Sequence, residues 1–99
     1  VTVGKLIDNQ EDLFNDRCET GDFGFDGTPG TEKSILIVMP PHNRLAGIPI
    51  HRDRAVADRS PSPVWWWDGN REAPTLEPSI LAVDTGWHGY MRAGVLVEV

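Results

Sequence analysis

The fold class this sequence predicts is all-β, and three observations predict it. Its 99 residues include ten glycines and eight prolines, which favours many turns over long helices. Apolar residues gather in short runs at 34–39, 64–67, 79–83 and 95–99, without helical spacing. Turn signals separate the runs: Pro40-Pro41, Asp68-Gly69 and Arg92-Ala93-Gly94. The expected architecture is a small single-domain antiparallel sandwich or barrel-like fold of five or six short strands. Residues 1–33 form its acidic, loop-rich opening, and residues 34–99 form its β core.

Asp8 is placed to cap one short helical turn over residues 10–14, anchored by Leu13 and Phe14. Residues 21–30 repeat glycine every third position, too briefly for collagen, and read as a loop tacked down by Phe23 and Phe25. Ser34-Ile35-Leu36-Ile37-Val38-Met39 is a nearly continuous apolar run, expected as a strand buried on both faces. In residues 47–52 alternation turns Ile48 and Ile50 inward. Pro49 lacks a ladder donor, so this strand is expected at an edge. Residues 53–63 are polar, charged and rich in Ser and Pro, and read as a mobile loop. Trp65 and Trp67 share one face of the next strand, Val64 and Trp66 the other. Pro74 and Pro78 exclude a helix from the stretch after it. Residues 79–83 form a strand. Residues 87–91 and 95–99 pair as a hairpin, with Gly94 free to take positive φ and Val95, Val97 and Val99 on one face.

Charge and composition narrow the function. The net charge is −6, so nucleic acid is disfavoured as a partner. Residues 34–59 carry four arginines against two aspartates, which makes a solvated segment or a small basic face. One cysteine, Cys18, excludes an intrachain disulfide and any site of three or four cysteines. No long apolar run and no charged-then-apolar leader occurs, so a reducing cytoplasm is the expected compartment.

All four tryptophans and the one tyrosine fall between positions 65 and 90. Trp65, Trp67, Asp68, Gly69, Asn70, Glu72, Pro74, Thr75, Pro78, Ser79 and Ile80 match W-x-W-D-G-N-x-E-x-P-T-x-x-P-S-I. Gly86, Trp87, His88, Gly89, Tyr90 and Gly94 match a second, G-W-H-G element that ends in a glycine turn. Residues 65–94 are in this respect similar to a family of small bacterial and phage-encoded proteins of unassigned function, often labelled ammonia-monooxygenase-like. The resemblance implies a shared fold and a phage or prophage-like origin. Family sequences also carry an upstream Cys-rich element and a Cys before Gly-Trp-His, which imply metal binding. Here Met39-Pro40-Pro41-His42 and Thr85 stand at those places, so the thiolate ligands do not carry over.

Several constellations bear on chemistry. His42, His51 and His88, with Asp53 or Asp84, are candidate zinc ligands, though no H-x-x-x-H spacing groups them. His88 also reads as a structural residue bonded through its ring to a neighbouring backbone group. Cys18 lies among carboxylates, which work against a thiolate. Glu72 and Glu77 read as solvated acids in place of an acid–base pair. Asp8, Asp12, Asp16 and Glu19 echo a calcium loop, but Leu13 stands where its glycine belongs. No phosphate-binding glycine loop occurs.

The leading functional expectation is a non-enzymatic, phage- or prophage-associated accessory protein. It binds a protein partner through an aromatic surface built from Trp65, Trp67, Arg71 and Trp87. It needs no cofactor, membrane or nucleic acid. Two alternatives stand beside it: a metal-binding module or metal-dependent hydrolase using the three histidines, and a self-associating virion subunit.

Overall fold

The structure is a computed structural model, which describes residues 2–8, 10–13 and 18–99. Its elements are β1 (Thr2–Val3), α1 (Gln10–Leu13), β2 (Phe23–Asp26), β3 (Ser34–Met39), β4 (Arg44–His51), α2 (Arg54–Arg59), β5 (Trp65–Trp67), β6 (Leu76–Glu77), β7 (Ile80–Ala82), β8 (Trp87–Arg92) and β9 (Val95–Glu98). The expected all-β class is what forms, with more strands than the runs suggested. They make a four-stranded sheet ordered β1-β9-β8-β7 and a five-stranded sheet ordered β2-β3-β4-β5-β6. Among the described residues no helix is long and apolar enough to cross a membrane.

One core joins the sheets. The five-stranded sheet contributes Phe23, Phe25, Ile35, Ile37, Met39, Ile48, Ile50, Trp67 and Leu76. The four-stranded sheet contributes Ile80, Trp87, Met91 and Leu96. Alternation decides which side chains enter it. In β8 Trp87, Gly89 and Met91 face in, while His88, Tyr90 and Arg92 face out. In β9 Leu96 is buried, and Val95 and Val97 are half-buried on the outer face.

Four local expectations change. Residues 23–26, read as loop, are a strand paired with β3 in register Phe23↔Ile37. Glycine gives close approach there: a Cβ on Gly24 would sit 2.6 Å from the Leu13 side chain and 3.0 Å from the Ile7 carbonyl. In sequence alone, a glycine required by close approach looks the same as a breaker. Residues 53–63 are not all loop. The Asp53 side chain accepts the Ala55 N–H at 2.9 Å and starts α2, which Ala57 anchors. The strand around Pro49 is longer than expected and lies inside its sheet, between β3 and β5. Ile50 N–H bonds Lys33 O on the β3 side, so position 49 faces away from β3. There β5 begins only alongside Ile50, and the missing donor disrupts no ladder. The β4–β5 pair is also parallel, with α2 in the crossover that such a pair requires.

The expected helical turn is present as α1, with Leu13 buried. Phe14, its second anchor, and Asp16 of the calcium-like spacing lie outside the described residues.

Candidate active site

The polar residues after Trp67 build a self-bonded loop. Asp68 Oδ1 accepts N–H bonds from Asn70 and Thr75, at 3.1 and 3.2 Å. Asn70 Oδ1 accepts from Glu72 and Ala73, both at 3.0 Å, and the Trp67 indole donates to Asn70 O. Gly69 turns the chain at φ +87°. Two bonds then clasp the β8–β9 turn: Gly94 N–H to Pro74 O at 2.8 Å and Ala93 N–H to Thr75 Oγ1 at 2.9 Å. The Asp-Gly-Asn segment is thus a frame. It sets where β6 begins and, through that short strand, where Pro78-Ser79 lies.

Pro78 and Ser79 carry the chain from the five-stranded sheet to the four-stranded one. Ser79 stands one residue before β7, and β7 pairs with β8 in register Ile80↔Gly89 and Leu81↔His88. Side chains two apart in a strand share a face, so Ser79 and Leu81 point to the outer face, where His88 also points. There the Ser79 Oγ and His88 Nε2 are 2.8 Å apart.

Both residues are held by their carbonyls. The Trp65 indole donates to Ser79 O at 3.2 Å, and Val99 N–H donates to His88 O at 2.9 Å. Gly89, next to His88, has no room for a side chain: a Cβ there would lie 2.3 Å from Val97 O and 2.7 Å from the Trp87 ring. Among the described residues no acid forms an ion pair with His88. Strand geometry orients the pair, with the hydroxyl and the imidazole nitrogen at hydrogen-bond distance.

Sequence reasoning missed this pair. His88 is bonded to a side-chain hydroxyl, not to the backbone group expected. The signal was present as Pro78-Ser79 and Trp87-His88 in the two matched elements, but only the β7–β8 register shows that they meet.

The expected aromatic surface does not assemble. Trp67 is 1% exposed and stacks on Phe25 at 4.9 Å, and Trp87 is 8% exposed. Both are core residues, because a domain short of Leu and Phe fills its interior with indoles. Arg71 is turned inward to Glu32 at 2.6 Å and lies over Phe25 at 4.8 Å. Of the four residues expected to bind a partner, Trp65 alone lies at the site, half-buried. The rings flanking the site are Trp66 and Tyr90, each with an arginine stacked on it: Arg54 at 4.1 Å and Arg92 at 4.4 Å. They line a cavity of about 300 Å³ whose wall also includes Pro78.

The other candidates lie elsewhere. His42 is exposed in the turn after β3, and His51 Nδ1 accepts the Asp53 N–H at 2.9 Å. Asp53 caps α2, and Asp84 pairs with Arg44 at 3.2 Å. Among the described residues no three or more His, Cys, Asp or Glu are grouped to hold a metal ion. Glu77 pairs with Arg54 at 2.8 Å. Cys18 donates to Asp12 O at 2.6 Å; burial first, then the charges of Asp22 and Asp12, push its thiol up and away from nucleophilic use.

No curated protein and no solved structure matches the chain. One family model does, over residues 15–99, a span that includes the framing loop, Ser79 and His88. On that match the chain belongs to the family described as the bacterial ubiquitination-like system serine protease (BubE).

Proposed function

We propose that the protein is a serine hydrolase acting on acyl linkages to a ubiquitin-like partner, with Ser79 as nucleophile and His88 as general base. The 2.8 Å contact between the Ser79 Oγ and His88 Nε2 carries this reading, and the family description supports it. Ser79 Oγ attacks the carbonyl carbon of the linkage while its proton passes to His88 Nε2. The tetrahedral intermediate collapses as His88 returns that proton to the leaving amine or alcohol, giving an acyl-Ser79 ester. Water, deprotonated by the same imidazole, hydrolyses the ester and restores the hydroxyl. These roles place the resting proton on His88 Nδ1. His88 is exposed, so deacylating water reaches it directly.

The protein partner expected from the sequence stays within this reading as the substrate. The non-enzymatic role and the phage association do not enter it. The test is acyl transfer from p-nitrophenyl acetate. One equivalent of nitrophenol should appear in a burst, with the acetyl group on Ser79 by peptide mapping. Undiminished turnover by Ser79→Ala or His88→Ala would sink the assignment.

A further inference from the structure

We infer that substrate binds as an extended peptide strand added to the free edge of β7. The inference rests on the proposed hydrolase reading and deepens it. β7 ends the sheet order β1-β9-β8-β7, so among the described residues its far side has no strand partner. The backbone direction there is fixed by one hydrogen bond. Val99 N–H donates to His88 O at 2.9 Å, so the His88 peptide groups face β9. Directly opposed residues in an antiparallel pair either bond each other or both point away. His88 opposes Leu81, so the Leu81 N–H and C=O point outward from the sheet edge.

That edge leads to the nucleophile. Ser79 lies two residues before Leu81, about 6.6 Å along an extended chain. Its own carbonyl, pointing the same way, is already taken by the Trp65 indole. The open edge therefore runs from Leu81 to a wall formed by Trp65 beside Ser79. A cavity of about 290 Å³, lined in part by Val64, Trp65 and Pro78, lies at that wall. Ser79 itself lies between β8, which carries His88, and this edge. A peptide bonded to Leu81 brings a carbonyl two residues further along its chain to the side of Ser79 opposite the base. Backbone pairing supplies the binding, and the outer-face side chain Leu81, 58% exposed, meets the added strand.

The test uses peptidyl diphenyl phosphonates, which react with activated serines, and a small alkyl fluorophosphonate of no peptide length. The peptide series is extended one residue at a time and then carries a single backbone N-methyl at each position in turn. Inactivation should quicken as the peptide reaches Leu81. One N-methyl, about two residues from phosphorus, should slow it by about tenfold, the worth of one or two hydrogen bonds. Rates that do not depend on peptide length, or N-methyl analogues all within about twofold of their parent, would overturn strand addition. Inactivation that falls as protein concentration rises, alongside a dimer by light scattering, would give the edge to a second copy and also overturn it. The small fluorophosphonate separates the two readings. If it modifies Ser79 while peptides gain nothing, only strand addition fails. If it leaves Ser79 untouched, the hydrolase reading fails.

Discussion

Replacing Glu32 by Gln removes one buried charge that ties the framing loop to the β2–β3 connection. The Glu32 side chain is 3% exposed and its Oε2 lies 2.6 Å from Arg71, whose side chain is 25% exposed. Gly30 N–H donates to Oε1 at 2.9 Å; a Gln that keeps this acceptor turns its NH2 toward the Arg71 donor, so the substitution removes the Arg71 hydrogen bond together with the charge. A hydrogen bond to a charged group contributes about 1.5–3 kcal/mol. Arg71 keeps its stacking on Phe25 and some access to water, which places the loss near about 2 kcal/mol. For a domain of this size that lowers Tm by about 8–16 °C. The sign with pH is also fixed. Burial raises the Glu32 carboxyl, but the Arg71 hydrogen bond, two backbone N–H donors and the Arg71 charge outweigh it and hold it below the usual carboxylate range. A depressed group stabilises the fold fully above its unfolded pKa and loses that contribution as pH falls through the folded value. Urea unfolding of both proteins should show a full difference at neutral pH and a shrinking one in acid. Equal stability at neutral pH, or a difference unchanged in acid, would refute the role assigned to this pair.

Four further variants have defined outcomes. His88→Ala should lower p-nitrophenyl acetate turnover by about 10²–10⁴-fold, and the Ser79→Ala/His88→Ala double variant should lose no more than Ser79→Ala alone, because the two act as a unit. Gly89→Ala places a Cβ against Val97 O and the Trp87 ring; it should cost about 3 kcal/mol or more in urea unfolding and abolish turnover with it. Asp53→Ala removes the cap of α2 and should cost about 1 kcal/mol in the same assay.

The β core was legible where period and turn chemistry agree. Ser34 to Met39 needed only a continuous apolar run, the hairpin around Gly94 its turn signal, and the inward Ile48 and Ile50 alternation. β2 and α2 were illegible for opposite reasons. Gly24 marks a close approach that resembles a break, and α2 buries only Ala57, too little to leave a periodic signature. The site was harder still. Trp65-Trp66-Trp67 drew attention as a binding face, yet the three rings end in three different places. Trp67 fills the core, Trp66 bonds Arg52 O beneath Arg54, and Trp65 holds the Ser79 carbonyl. Ser79 and His88 each sit in a matched element, but no local spacing pairs them. Their meeting depends on a two-residue passage between sheets and on strand register, both of them tertiary facts.

The most direct measurement is to treat the full chain with a fluorophosphonate and map the adduct by peptide mass spectrometry, alongside His88→Ala. The expected result is a single phosphonyl group on Ser79 that forms far more slowly without His88. An adduct on another residue, or equal labelling of Ser79 with and without His88, would contradict the dyad.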